Sequence, residues 1–265
     1  MAALSPLLRS YDQLILDLDD CVWVGDDPVD GSVEAIAALR EAGKRVAFAT
    51  NNSWLAGEDH VAKLWGIGIQ ASLADVITAG GAMQHLLAET RTGRMAFVIG
   101  TEAMHRHVTE AGLSVMNGTD LASRAEVVVV SGTDDVRYAD LRDASLAVAR
   151  GAELLATGRD PTLPMPDGDW PGTGAILAAV ETASGGTAEI VGKPSRRMFD
   201  TAVDRLGGGR TLVVGDRLDS DIAAAAAAGL DGALVLSGGG RSEPGPDDPK
   251  PVAVASDLAE LVGSR

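Results

Sequence analysis

The stretch Leu14-Ile15-Leu16-Asp17-Leu18-Asp19-Asp20 decides the fold, because three apolar residues run directly into a cluster of carboxylates. A second stretch far along the chain, Leu212-Val213-Val214-Gly215-Asp216, has the same arrangement and is followed by Asp219 and Asp221. Short apolar runs are typical of buried parallel strands, and open parallel sheets bind ligands beyond the carboxyl ends of their strands. The two carboxylate clusters are therefore predicted to meet at one edge of one sheet.

Clustered carboxylates repel one another, and a hard divalent cation with oxygen ligands is their natural counter-ion. We assign Asp17 and Asp216 to a Mg²⁺ site and Asp221 to holding that site in place. Asp17 and Asp19 are alternate residues, which share one face of a strand, so both can serve one site. We interpret these residues as a magnesium-dependent phosphoryl-transfer site. In such a site Asp17 can attack phosphorus, and Asp19 can protonate the leaving alkoxide and later deprotonate water. A solvated acidic turn is the alternative for this pair taken alone.

Two further motifs supply candidate phosphate contacts. Thr50-Asn51-Asn52 follows a predicted strand, where a hydroxyl and backbone N–H groups can bind an anion, although the start of a helix is the simpler explanation. Lys193 precedes Pro194 and can pair with a phosphate oxygen, whereas the proline alone indicates only a helix start. Thr50, Asn51 and Lys193 are therefore candidate phosphate-binding residues.

Strand-like and helix-like segments alternate, which predicts an α/β fold with a parallel sheet flanked by helices. The predicted strands are residues 13–17, 45–49, 75–78, 95–99, 127–130, 153–156, 211–215 and 232–236. The predicted helices are residues 32–42, 56–65, 81–90, 102–111, 137–150, 195–206, 220–228 and 257–262. The stretch between Ser53 and Gly192 is too long for an ordinary connection and carries its own strands. Residues 1–79 and 181–265 are thus predicted to form a discontinuous core around an inserted α/β domain at 80–180.

Composition bounds the function. With 46% hydrophobic residues the chain is globular, and its formal charge of −16 argues against nucleic acid or anionic lipid as a partner. There is no uncharged apolar run of about 18 residues, so no membrane span is expected. The N-terminal residues do not have the pattern of a secretory signal. Cys21 is the only cysteine, so an internal disulfide is excluded. These features predict a cytoplasmic protein.

The motifs Asp-x-Asp, Thr-Asn, Lys-Pro and Gly-Asp-x-x-x-x-Asp occur in an order that resembles the haloacid dehalogenase superfamily. Most members of that superfamily are magnesium-dependent phosphatases with a Rossmann-like core. The insertion after the second motif, together with residues 50–53, 171–174 and 215–221, is similar to the NagD-like class IIA branch. In that branch an α/β cap domain is inserted into the core.

The resemblance implies roles for the motif residues. Asp17 would be the nucleophile and Asp19 the acid and base, while Thr50 and Lys193 would hold phosphate. Asp216 would join Asp17 and the backbone carbonyl of Asp19 on Mg²⁺. The cap loop at 158–166 is expected to face the active site, which makes Arg159 and Asp160 candidate substrate contacts. The chain departs from the branch at residues 20–21, where Gly-Thr or Gly-Val is usual, and at Gly158, where asparagine is common.

These expectations describe a phosphatase for a small phosphorylated metabolite: a sugar or glycerol phosphate, phosphoglycolate, pyridoxal phosphate or a nucleoside monophosphate. A phosphotransferase or mutase on the same fold is one alternative. A catalytically idle metal- or nucleotide-binding regulatory protein is another. The oligomeric state stays open, with a homodimer as the leading homo-oligomer. Trp23 and Trp54 follow the first two motifs and could border the substrate mouth, although packing is the simpler explanation for both.

Overall fold

The structure is a computed structural model that describes residues 4–165, 168–238, 245, 246 and 248–263. The strands are β1 (Gln13–Leu16), β2 (Trp23–Val24), β3 (Asp27–Pro28), β4 (Arg45–Thr50), β5 (Val76–Thr78), β6 (Met95–Ile99), β7 (Ser114–Val115), β8 (Val127–Val130), β9 (Glu153–Ala156), β10 (Thr162–Met165), β11 (Gly168–Pro171), β12 (Glu189–Ile190), β13 (Thr211–Gly215), β14 (Asp231–Val235) and β15 (Ala253–Ala255). The helices are α1 (Pro6–Arg9), α2 (Ser32–Glu41), α3 (Gly57–Gly66), α4 (Ala79–Thr90), α5 (Glu102–Glu110), α6 (Tyr138–Ala149), α7 (Thr173–Ser184), α8 (Arg197–Leu206), α9 (Ala223–Ala227) and α10 (Leu258–Val262), with a π-helical turn at Leu218–Ile222 directly before α9.

The chain divides into two units, of which the first comprises Met1–Thr50, Gly57–Ile77 and Lys193–Arg265. Its six-stranded sheet has the order β15-β14-β13-β1-β4-β5. β1 pairs in parallel with β13 and β4, in a register that sets Leu16 beside Val214 and Phe48. The carboxyl ends of these three strands therefore lie side by side. This arrangement brings the residues that follow them to one edge of the sheet.

The second unit comprises Asn51–Ala56 and Thr78–Gly192. Its five-stranded sheet has the order β12-β9-β8-β6-β7, and all of its pairs are parallel. Strand β8 consists of four valines, which are fully buried because apolar clusters cover both faces. One cluster contains Val127 and Val129 with residues of α4 and α5, and the other contains Val128 and Val130 with residues of α6 and α7.

The predicted fold class is confirmed, because both large sheets are parallel and flanked by helices. Every predicted strand and helix occurs within a few residues of its expected position. The helix predicted at 220–228 differs in its first part, because residues 218–222 form a π-helical turn and α9 follows it. The interpretation of residues 158–166 as a loop was wrong in part, because β10 pairs antiparallel with β11 in a hairpin. Prolines hide these strands from the sequence pattern, yet an isolated two-stranded ribbon tolerates them. Pro166 lies outside the described residues.

The second unit extends further along the chain than the predicted inserted domain, 80–180. Residue 180 lies inside α7, and β12 beyond it pairs with β9, so the second unit continues to Gly192. It also includes the short segment Asn51–Ala56, where the buried Ser53 Oγ lies 2.8 Å from Ser131 Oγ and 3.1 Å from Thr157 Oγ1. Within the described part of the chain, no helix combines the length and the apolar character that a bilayer crossing requires.

Candidate active site

Three buried carboxylates converge at the carboxyl edge of the first sheet. Asp17 follows β1, Asp216 follows β13, and Asp221 lies in the π-helical turn. One carboxylate oxygen from each lies within 4.8 Å of the other two. The parallel pairing of β1 with β13 accounts for this meeting, since Asp17 N–H donates to Val214 O at 2.8 Å. The structure thus brings together the two clusters that the sequence places at one edge.

Two glycines leave room for this close approach. A Cβ atom at Gly215 would lie 2.2 Å from Asp221 Cγ, and one at Gly238 would lie 2.4 Å from Asp216 Oδ2. Real Cβ atoms do not approach other atoms so closely, and neither neighbour is the far end of a long, flexible side chain. Any larger residue at either position would therefore displace a carboxylate of the cluster.

Lys193 is the cation that the structure places within the carboxylate cluster. Its buried Nζ donates to Asp17 Oδ1 and to Asp221 Oδ1, both at 2.6 Å, and to Ala49 O at 3.3 Å. Burial disfavours the ammonium, but the carboxylates of Asp17 and Asp221 outweigh it and raise the pKa of Lys193. The sequence interpretation assigned Lys193 to phosphate; here its ammonium bridges two carboxylates.

One ammonium does not neutralise three carboxylates. Burial, followed by repulsion from Asp221 and Asp20, raises the pKa of Asp216 to about 7. Burial and Asp221 likewise hold the pKa of Asp17 well above its usual range, although Lys193 opposes the shift. When the three carboxylates are ionised, their charge exceeds that of Lys193, and their oxygens lie at short mutual distances. These properties fit a hard divalent cation such as Mg²⁺.

The raised pKa of Asp216 leads to a prediction about the metal-free protein. An unfolded aspartate has a pKa of about 3.9, so the folded state binds the proton more tightly and loses stability as the pH rises from about 4 to 7. Asparagine cannot ionise, so we expect the Asp216→Asn variant to keep its folding stability over this pH range. At pH 7.5 in chelator its melting temperature should exceed that of the wild type by at least about 2–4 °C, equivalent to about 1 kcal/mol.

Thermal unfolding at pH 4.5 and 7.5 measures this difference. Asp219→Asn is the matched control, because Asp219 is 68% exposed in its side chain and pairs with Arg217 outside the cluster. Its melting temperature should stay close to that of the wild type at both pH values. If Asp216→Asn showed no gain at pH 7.5 relative to pH 4.5, burial of an ionised Asp216 would not destabilise the fold.

Asp19 lies beside the cluster, and two donors hold its carboxylate. Thr50 Oγ1 donates to Asp19 Oδ2 at 3.0 Å, and Trp23 Nε1 donates to Asp19 Oδ1 at 3.0 Å. The Thr50 hydroxyl, expected at phosphate, thus contacts the predicted acid and base. Sequence reasoning assigned Trp23 to packing and missed its hydrogen bond; its place four residues after Asp19 was the one available signal.

In the second unit, Asn51 and Asp160 contact each other. Asn51 Nδ2 donates to Asp160 Oδ2 at 3.1 Å. A Cβ atom at Gly158 would lie 2.7 Å from Asp160 Oδ2 and 3.3 Å from Asn51 Nδ2, so the glycine leaves room for this hydrogen bond. Arg159 instead pairs with Glu181 of α7 through two hydrogen bonds of 2.9 and 2.6 Å. Of the two predicted substrate contacts in this loop, only Asp160 meets another predicted site residue.

Comparison with known families gives two matches along the chain. The sequence profile described as haloacid dehalogenase-like hydrolase matches residues 14–114. A second profile, described as HAD-hydrolase-like, matches residues 190–261. The first range contains the Asp-x-Asp and Thr-Asn motifs, and the second contains the Lys-Pro and Gly-Asp motifs. Both halves of the carboxylate cluster therefore fall within these matches.

Individual relatives match over most of the chain. The D-glycerol 3-phosphate phosphatase of Mycobacterium tuberculosis is 36% identical over 233 residues, which are 88% of this chain and 65% of that protein. Chronophin of Homo sapiens is 35% identical over 257 residues, which are 91% of this chain and 86% of chronophin. The crystal structure of glycerol phosphate phosphatase from M. tuberculosis in complex with magnesium has a TM-score of 0.88 at 34% identity, covering 98% of this chain and 78% of that one. This likeness extends over both units.

Proposed function

Because the chain belongs to the haloacid dehalogenase-like hydrolase family and is a phosphoric monoester hydrolase, we propose that it uses Mg²⁺ and an aspartyl-phosphate intermediate at Asp17 to hydrolyse a small phosphomonoester. The family resemblance drawn from the four motifs is confirmed by the matches. The observation that carries the proposal is the buried cluster of Asp17, Asp216 and Asp221, in which one oxygen from each lies within 4.8 Å of the others and Lys193 contacts two of the three.

Asp17 and Asp216 would hold Mg²⁺ together with the backbone carbonyl of Asp19, and Asp221 would support them. A bound Mg²⁺ neutralises charge on the phosphoryl oxygens and on the carboxylates. The solved relative from M. tuberculosis is in complex with magnesium. Burial, followed by repulsion from Asp221 and Asp20, raises the pKa of Asp216, and a bound cation would favour its ionised form, which supports the same ion.

The chain's own residues supply the remaining chemistry. An Asp17 carboxylate oxygen attacks phosphorus, the bond from phosphorus to the leaving oxygen breaks, and Asp19 gives its proton to that oxygen. Water then attacks the phosphorus of the aspartyl phosphate and transfers a proton to Asp19. Inorganic phosphate leaves, and Asp17 is again a carboxylate. Lys193 holds Asp17 in place through its 2.6 Å hydrogen bond.

A phosphate-release assay with Mg²⁺ tests this function. The panel contains glycerol phosphate, sugar phosphates, phosphoglycolate, pyridoxal phosphate and nucleoside monophosphates, each with and without added glycerol as an alcohol acceptor. We expect release of inorganic phosphate from at least one metabolite in both conditions. Transfer of phosphate to the alcohol would favour a phosphotransferase. Binding of a phosphate with no turnover of any compound would favour a regulatory protein.

Replacing Asp19 separates the acid and base from the nucleophile. General acid–base groups contribute about 10²–10⁴ in rate, so Asp19→Asn should lower kcat/KM for phenyl phosphate by that factor. The loss should be smaller for p-nitrophenyl phosphate, whose leaving group departs without a proton. Mg²⁺ should still raise the melting temperature, because the Asp19 carboxylate contacts Thr50 and Trp23 rather than the cluster. A loss below about tenfold for phenyl phosphate would remove Asp19 from this role.

The second unit selects the substrate in this proposal, since the first unit's candidate residues serve only the phosphoryl group that all substrates share. Replacing both Arg159 and Asp160 by alanine should change the ratio of kcat/KM between metabolite phosphates about tenfold or more. Hydrolysis of p-nitrophenyl phosphate should stay nearly constant. The single variants assign the effect: Asp160→Ala removes the contact with Asn51, whereas Arg159→Ala breaks only the pair with Glu181. Equal losses on every substrate would indicate a structural loop.

A further inference from the structure

We propose that Trp23 is a positioning residue for the proposed acid and base, because its indole N–H fixes the orientation of the Asp19 carboxylate. The inference rests on the proposed function, in which Asp19 gives and takes the proton. Trp23 lies in β2 and the residue is only 1% exposed. Its indole N–H therefore needs a hydrogen-bond acceptor inside the protein. That acceptor is Asp19 Oδ1 at 3.0 Å.

The two donors on Asp19 act on different oxygens. Trp23 Nε1 donates to Oδ1 and Thr50 Oγ1 donates to Oδ2, both at 3.0 Å. The χ2 torsion of an aspartate is broad, so its carboxylate plane is only weakly fixed by the side chain itself. Donors on both oxygens restrict this rotation. Each oxygen has a second lone pair, so each oxygen keeps one site that can carry the transferred proton. The orientation of that site follows from the positions of the indole and the hydroxyl.

An indole suits this position because its nitrogen is a donor only. It cannot take the proton from Asp19, whereas a hydroxyl or an imidazole in its place could exchange it. At Oδ1, the side that Trp23 contacts, the transferable proton is therefore left to the leaving oxygen or to the attacking water. Trp23 contributes geometry and takes no part in the proton transfer itself.

The surroundings of Trp23 keep the indole in this orientation. Its ring lies parallel to the His60 ring, with an interplanar angle of 1° and centroids 6.3 Å apart. Lys63 Nζ lies 4.5 Å from the Trp23 ring centroid, and this ammonium also donates to Gly25 O and pairs with Asp26 at 3.6 Å. The face of an indole ring carries negative partial charge and attracts a cation placed over it. Both α3 side chains, His60 and Lys63, thus limit the rotation of the ring.

The backbone between the two residues forms a tight turn that brings the indole to Asp19. Trp23 N–H donates to Leu18 O at 3.2 Å, and Asp20 N–H donates to Trp23 O at 2.7 Å. Asp20 has φ +61°, the single non-glycine residue with positive φ in the described part of the chain. The left-handed conformation of Asp20 reverses the chain, so the side chain of Trp23, four residues after Asp19, can reach Asp19.

Trp23→Phe tests the proposal, because phenylalanine keeps an aromatic ring for His60 and Lys63 but has no N–H. The substrates are a series of substituted phenyl phosphates, which vary the basicity of the leaving oxygen at nearly constant size. The quantity measured is kcat/KM, which reports events up to departure of the leaving group. We expect a loss of about tenfold for phenyl phosphate, in line with a hydrogen bond to a charged group, and a loss below about twofold for p-nitrophenyl phosphate.

Trp65→Phe is the matched control, since Trp65 is 56% exposed and its indole N–H donates to Ala71 O, away from Asp19. Its leaving-group dependence should equal that of the wild type. In the Asp19→Asn background, Trp23→Phe should add no further dependence. Equal losses of Trp23→Phe on all phenyl phosphates would overturn the positioning role and show that Trp23 only supports the fold.

The failure of this inference differs from failure of the proposed function. If Asp19→Asn showed no dependence on the leaving group, the acid role itself would fail. If Asp19→Asn showed it and Trp23→Phe did not, only the inference would fail. Should Trp23→Phe not fold, ¹⁵N-tryptophan spectra of the folded wild type and Asp19→Asn decide. The Trp23 indole N–H resonance should shift upfield when the carboxylate is lost, and an unchanged resonance would refute the contact.

Discussion

Asp17→Asn is expected to abolish both turnover and the phosphoenzyme, with a loss of at least about 10⁴-fold in kcat. Removing the nucleophile from a group of catalytic residues that act as a unit typically lowers kcat by this factor or more. Asparagine cannot form the acyl phosphate, although it is nearly the same size as aspartate. Turnover is measured by release of inorganic phosphate, and the intermediate by acid-quench trapping of labelled phosphate on the protein.

Folding must be checked in the same variant. Asp17→Asn removes one carboxylate from a buried cluster that raises the pKa of Asp17, so the metal-free variant should be at least as stable as the wild type. Asp17→Ala controls for slow deamidation of asparagine back to aspartate. Trapped phosphate on a folded Asp17→Ala protein would place the nucleophile at another residue.

Exhaustive chelation is expected to reduce hydrolysis of p-nitrophenyl phosphate by about 10³-fold or more, since a catalytic metal contributes several kcal/mol. Asp17, Asp216 and Asp221 share one buried site in which Lys193 contacts only two of them, so the three carboxylates need a further cation. Added Mg²⁺ should restore the rate. Ca²⁺ should inhibit, because it accepts more ligands at longer distances and misplaces the nucleophile.

Asp216→Asn serves as the control for metal addition. It leaves the nucleophile in place but removes one predicted ligand, so Mg²⁺ should restore activity poorly and at higher concentration. Full hydrolysis by the wild type after chelation would contradict the metal requirement. Isothermal titration of Mg²⁺ into both proteins provides a measurement that does not depend on activity.

The sequence predicts the parallel sheets well, because each strand is a short apolar run between helical patterns. Asp17 and Asp216 could be placed at one edge for the same reason, since each directly follows such a run. The four valines of β8 are the strongest case, as a strand buried on both faces needs no alternation. Local pattern and tertiary position agree for all of these residues.

Contacts that depend on the exact path of the backbone could not be predicted. The hydrogen bond from Trp23 to Asp19 requires the left-handed turn at Asp20, and no pattern in the sequence indicates that turn. The contact between Asn51 and Asp160 joins residues far apart in the chain and needs the space left by Gly158. The hairpin of β10 and β11 was missed because its prolines suggest a loop.

The pairing of Gln13 with Thr211 in the central strands of the first sheet has a consequence for biosynthesis. A ribosome completes all five strands of the second sheet by Ile190, whereas β13, β14 and β15 emerge only afterwards. Until then the nascent β1 lacks one of its two neighbours and exposes an apolar edge, the kind of surface that aggregates or recruits chaperones. A chain that terminates before β13 therefore carries one of the three clustered carboxylates, Asp17, and a β1 strand that is paired on one side only.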